Sequence, residues 1–187
     1  MKTCTPQAMQ ALEKHLFDNH IISPLELMKK AAKQMYMLLR TQAKSFKEIL
    51  VLCGKGNNAG DGYELASLLR KDGLNVVCAS VFGEAPTVEP AHTCYQTFLA
   101  CNGIVLTDSK SIFDKLHQAD VIIDAVFGIG FHGSIPKETL LYSLIDEANH
   151  ANAYRVALDV PSGVCSADGS VGGIAFVAHL TLTVLVP

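Results

Sequence analysis

The hydrophobic pattern changes period once along the chain. In the first forty-odd positions it is helical. Pro6 to Phe17 reads as one helix. Pro24 to Arg40 reads as a second, with Ser23 as N-cap, Pro24 at the first helical position and Glu26 in the first turn. Leu27, Ala31 and Leu38 recur near helical spacing and predict the face that packs on a core. From Glu48 onward, short apolar runs alternate with helical stretches. Ile49 to Cys53, Val76 to Val81, Gly103 to Leu106, Val121 to Val126, Arg155 to Val160 and Leu180 to Val186 read as strands, the first of them like one buried on both faces. Between them, Ala59 to Lys71, Pro90 to Cys101, Ser111 to Gln118 and Pro136 to Asn149 read as helices. Strand and helix in alternation predict an α/β fold, a Rossmann-like three-layer α/β/α sandwich with a mostly parallel sheet, preceded by N-terminal helices. The expected strand order is 3-2-1-4-5-6, with its switch point between strands 1 and 4.

Composition narrows the class. With 187 residues, 49% hydrophobic and 18% charged, the chain has enough for one buried core and is not disordered. We expect a single domain over 1–187, with helices over 1–44 and the sandwich over 48–187. A net charge of −3 gives no bulk field for nucleic acid or an acidic membrane. No apolar stretch reaches the roughly 18 residues of a membrane span, and the N-terminus lacks the apolar region of a secretory signal. A cytoplasmic protein is the default. The six cysteines form no C-x-x-C pair or zinc spacing, and are expected to be reduced thiols.

Three polar loops follow strands 1, 4 and 5. They are Gly54-Lys55-Gly56-Asn57-Asn58-Ala59-Gly60-Asp61-Gly62, Asp124 with Gly128-Ile129-Gly130-Phe131-His132-Gly133-Ser134, and Asp159-Val160-Pro161-Ser162-Gly163. The strand order brings all three to the crevice where open α/β sheets bind ligands. The first loop leads into a helix N-terminus, which suits phosphate. As a dinucleotide fingerprint it is weak, because Val81-Phe82-Gly83 stand where an acidic residue for the ribose is usual. Asn57 or Asn58 as a helix cap, and Asp124 or Asp159 as turn-forming residues, are the plain alternatives. Two carboxylates with an Asn and a Ser hydroxyl are hard oxygen donors, suited to a hard cation rather than zinc or copper. One carboxylate could instead transfer protons if burial tunes it. No nucleophile elbow surrounds Ser162.

These segments resemble the YjeF N-terminal domain family, the NAD(P)HX epimerases. The family pattern runs G-x-G-N-N-G-G-D-G, then D-A-x-x-G-x-G, then D-x-P-S-G. Its counterparts here are Gly54 to Gly62, Asp124 to Gly130 and Asp159 to Gly163. Leu27-Met28 resembles the family's L-M-x-x-A-G helix, and Thr181-Leu182-Thr183 its final strand. Ala59, Lys55, Lys29, Ala32 and His179 depart from the pattern. The resemblance implies binding of hydrated NADH or NADPH and of a potassium ion. It implies that Asn57, Asn58, Ala59, Gly60, Asp61, Gly128, Ile129, Gly130, Phe131, His132, Gly133, Ser134 and Asp159 hold the substrate, and that Asn58, Asp124 and Ser162 ligate potassium. The implied reaction interconverts the R and S forms at C6 of NADHX and NADPHX, upstream of an NAD(P)HX dehydratase. The alternative is a non-catalytic binding or dimerisation scaffold of the same fold. An ordinary nicotinamide-dependent dehydrogenase is disfavoured by the missing acidic residue after strand 2. Asp159 is the chosen acid and base. A homodimer is implied by resemblance alone. Relatives usually continue past the last strand, in bacteria often into the dehydratase, so a shortened or partial C-terminus with an uncovered apolar edge is expected.

Overall fold

The computed structural model describes residues 5–42 and 46–183. The elements in chain order are α1 (Pro6–Asp18), α2 (Pro24–Gln42), β1 (Glu48–Cys53), α3 (Asn57–Lys71), β2 (Asn75–Ser80), α4 (Ala91–Ala100), β3 (Ile104–Leu106), α5 (Ser109–Leu116), β4 (Val121–Ala125), α6 (Leu140–His150), β5 (Tyr154–Leu158) and β6 (Leu180–Leu182). The six strands form one sheet in the order β3-β2-β1-β4-β5-β6, and every neighbouring pair is parallel. This is the expected order. The suggested extension of β6 to Val186 reaches outside the described residues.

Alternation along β1 builds the layers. Ile49, Val51 and Cys53 join Met28, Ala32, Tyr63 and Phe98 on one face of the sheet. Leu50 and Leu52 join Ile112, Leu116, Leu144 and Ile145 on the other. Helices α2, α3 and α4 thus cover one face, and α5 and α6 the other.

Two local readings need correction. The packed face of α2 is Met28, Ala32, Met35 and Leu39, whereas Leu38 is exposed. The chain carries two apolar rows one position apart, and the periodicity does not say which one meets the core. The last helix starts at Leu140 rather than Pro136, because Thr139 caps it by accepting a hydrogen bond from the Tyr142 amide (3.2 Å). The expected cap of α2 is present. Ser23 Oγ accepts from the Glu26 amide, while the Ser23 amide and hydroxyl both donate to Glu26 Oε2.

Candidate active site

A cavity of about 1110 Å³ opens at the C-terminal ends of β1, β4 and β5. Its size is that of a cofactor-binding site. From the sheet side it is lined by Lys55, Asn57, Asn58, Asp61, Gly128 to His132, Asp159 and Val160. Ala59 and Gly60 are placed differently from the expectation. Both are buried, Ala59 on the core-facing side of α3. A Cβ on Gly60 would stand 2.6 Å from Met28 Sδ and 2.8 Å from Ala91 Cα, so this glycine serves the contact of α3 with its neighbours. Gly133 and Ser134 leave the cavity, and their backbone packs instead against Gly172.

The first loop is shorter than the sequence indicates, because α3 begins at Asn57. Gly56 is its N-cap and contributes no side-chain bond. Asn57 and Asn58 therefore occupy the first helical turn, where free amides accumulate. Neither acts as the cap. Asn58 Nδ2 donates to the carbonyl of Phe127 (2.7 Å), which ties α3 to the loop after β4. Asn58 Oδ1 is buried and has no partner among the described residues. A buried polar atom left so is costly unless something fills its place.

Asp124, at 1% exposure, is close by in the network. Its Oδ1 accepts from Ser162 Oγ (2.7 Å) and the Val126 amide (3.1 Å), and its Oδ2 from the Ser162 amide (2.7 Å). Ser162 Oγ in turn accepts from the Phe127 amide (2.9 Å). Burial pushes the Asp124 carboxyl up to about 6, against the pull of these donors. No lysine or arginine pairs with it among the described residues. Nor do these residues hold a cluster of three His, Cys, Asp or Glu that would suit a transition metal.

Asp159 ends β5 in the left-handed region, with φ 65°. For a non-glycine residue this costs energy, and such positions gather at active sites. The surroundings hold it there. Its amide donates to Leu182 O (3.0 Å) and its carbonyl accepts from Thr183 Oγ1 (2.7 Å). The carboxylate is thereby aimed at the loop after β4, where Oδ2 accepts from the Ile129 amide (2.7 Å). A Cβ at Gly128 would lie 2.4 Å from that oxygen, so only glycine allows this approach. Burial raises the Asp159 carboxyl above its usual range, and the Ile129 amide opposes the rise. Asp61 lines the same cavity and accepts no hydrogen bond among the described residues. Burial, then the charges of Asp159 and Glu13, push it up to about 8.

Sequence reasoning named Phe131 but missed the rest of two walls of the cavity. One is aromatic: Phe127 stacks on Phe131 (centroids 4.7 Å apart) and lies 6.1 Å from Phe82, while Lys55 Nζ sits 5.5 Å from the Phe82 ring. Phe82 stands directly after β2, a position that the topology points at the cavity. The other wall is helical. Met9, Gln10, Glu13 and Phe17 approach from α1 with its N-cap Thr5, and Leu27 and Ala31 from α2. Leu27 and Ala31 are the row first assigned to the core. Their spacing signalled a buried face but not which body they would face.

Comparison with known proteins identifies the family. The NAD(P)H-hydrate epimerase of Limosilactobacillus fermentum is 34% identical over 185 residues, covering 96% of this chain and 83% of that protein. The bifunctional NAD(P)H-hydrate repair enzyme Nnr of Coxiella burnetii is 36% identical over 168 residues, covering 89% of this chain but 33% of that longer protein. The crystal structure of yeast ynu0 superposes with a TM-score of 0.83 at 21% identity, over 97% of this chain and 79% of that one, and shares its fold. The family model for the YjeF-related protein N-terminus matches residues 24–187. With the whole sheet and all three polar loops inside that match, the chain belongs to the YjeF-related N-terminal family.

Proposed function

We propose that this chain is an NAD(P)H-hydrate epimerase, interconverting the R and S forms of hydrated NADH and NADPH within nicotinamide nucleotide repair. One observation carries the reading beyond family membership. The polar side chains Asn58, Asp61 and Asp159 converge on one large cavity at the switch point of the sheet, and a buried Asp124–Ser162 pair joins them through Phe127. A scaffold needs none of these groups. Relatives bearing the epimerase name match over nearly the whole chain.

The N-terminus of α3 suits the nucleotide's pyrophosphate, and the aromatic wall suits its rings. Asp159 serves at the reacting carbon. As the acid it gives a proton to the C6 hydroxyl, and its burial favours the protonated form that this step needs. The C6–O bond breaks, the N1 lone pair forms a C6=N1 bond and water leaves. Water then adds to the opposite face of C6 and gives up its extra proton to a carboxylate of the cavity. Atoms and charge balance, and only the configuration changes. The Ile129 amide and Gly128 fix the direction of the carboxylate.

Potassium is the proposed resident ion, and the residues fit it. Asn58 Oδ1 is buried without a partner, and Asp124 is buried without a basic one among the described residues. Asn58, Asp124 and Ser162 would hold the cation through hard oxygens. When bound, it supplies fixed positive charge that keeps Asp124 ionised and the loops in register. The reaction partner is a dehydratase that consumes one epimer, which accords with the longer bifunctional repair enzymes among the relatives.

The test is chromatographic. Pure R or S NADHX, incubated with the chain alone, should approach the equilibrium mixture faster than the uncatalysed background. Binding of the nucleotide with no acceleration would instead favour the scaffold reading.

A further inference from the structure

Resting on the epimerase reading, we propose that Glu13 of α1 is a second proton-transfer residue, acting on the face of the nicotinamide ring opposite Asp159. The reaction itself asks for one. Hydroxide equivalent leaves one face of C6 and water arrives on the other. A single carboxylate fixed at the end of β5 reaches one face only. Asp159 is so fixed, by the Ile129 amide on its side chain and the Thr183 hydroxyl on its carbonyl.

Glu13 enters the same cavity from a different body. It lines the cavity with Met9, Gln10 and Phe17 of α1, while Asp159 lines it from the sheet. Helix α1 lies before residue 24, where the family match begins, and makes only sparse contacts with the other elements. The cavity separates it from the β4 and β5 loops, so a flat ring between them would have Asp159 on one side and α1 on the other. Although α1 is a surface helix, its Glu13 carboxyl is raised by burial, then by the charge of Asp159. Glu13 also raises Asp61. The groups facing Glu13 are therefore Asp159 from β5 and Asp61 from α3. His132 and Lys55 complete the charged and titratable lining from the sheet side, and Lys55 is paired with Glu84 at 2.6 Å.

The proton balance closes. In one direction Asp159 gives a proton to the departing hydroxyl, and Glu13, as the base, takes one from the arriving water. In the reverse direction the two exchange roles. Asp61 lines the same cavity, is raised in part by the charges of both, and offers a route to reset the pair.

The experiment uses the 187-residue chain and each pure NADHX epimer, without dehydratase, from pH 5 to 9. Glu13→Gln should lower kcat by about 100-fold, with KM and the melting temperature close to wild type. Its alkaline limb should move to lower pH, because a like charge facing Asp61 is gone. Glu13→Asp should restore part of the rate. Lys14→Ala, whose side chain is exposed and paired with Asp18, should match wild type. Wild-type kcat in Glu13→Gln, a loss confined to KM, or an unmoved alkaline limb would each overturn the proposal. An inactive wild type would instead sink the epimerase reading, a result distinguishable from all of these.

Discussion

Asp159 and Gly128 work as a unit, and each can be tested singly. Asp159→Asn keeps the shape of the side chain but removes its ability to pass a proton. We expect nucleotide binding to persist and epimerisation to fall by about 100-fold or more. A rate near wild type would show that the proton comes from elsewhere. Gly128→Ala leaves every polar group in place yet puts a methyl 2.4 Å from Asp159 Oδ2. The carboxylate must then give up the Ile129 amide. The rate should fall at least tenfold with little change in melting temperature, since the displaced atoms border a cavity rather than the core. If Gly128→Ala were as active as wild type, the Ile129 contact would not matter to the chemistry. A conventional dinucleotide loop would assign this glycine to phosphate, and its pairing with a residue 31 positions later has no sequence signature.

At the scale of elements, the sequence told type and order well and facing poorly. Alternating apolar runs and helical stretches were enough for strand order, because parallel strands buried on both faces leave few topologies. The polar loops were legible for the same reason: the switch point must collect whatever follows β1, β4 and β5. What was not legible depends on packing between bodies. Leu27 and Ala31 have core-like spacing but face the cavity, and Glu13 has no local mark that separates it from an ordinary surface acid. Asn57 and Asn58 read as loop residues, since Asn favours caps, yet the helix takes them in. Gly60 shows how a motif glycine can serve packing. Its missing side chain lets α3 approach Met28 of α2 and Ala91 of α4. Gly60→Ala would have to push these helices apart, against the usual gain of Ala over Gly in a helix interior. We expect a net loss of about 1–3 kcal/mol in denaturant unfolding. An unchanged or raised midpoint would mean that Met28 can swing aside at no cost.

For the whole molecule, the site's acids should be visible in stability. If potassium occupies the Asn58–Asp124–Ser162 oxygens, it binds the folded chain only, and stability rises with its concentration. Melting temperature should therefore be higher in potassium chloride than in choline chloride at equal ionic strength, and Asp124→Asn should erase the difference. Equal melting in the two salts would argue against the ion. The pH dependence has its own sign. Asp61 is pushed up to about 8 in the folded chain, whereas in the unfolded chain it ionises near about 4. Below both values the carboxyl is protonated in both states. Between them, the unfolded chain releases this proton and the folded chain keeps it. The folded state then binds more protons, so stability falls as pH rises and levels off above about 8. Asp61→Asn cannot ionise and should flatten this contribution, raising the melting temperature at pH 7 more than at pH 4. The other carboxylates contribute slopes of their own, so the comparison is between variant and wild type across the range. If the two profiles run parallel, Asp61 is not held neutral in the folded chain, and the raised acid of this cavity must be sought at Asp159 or Glu13.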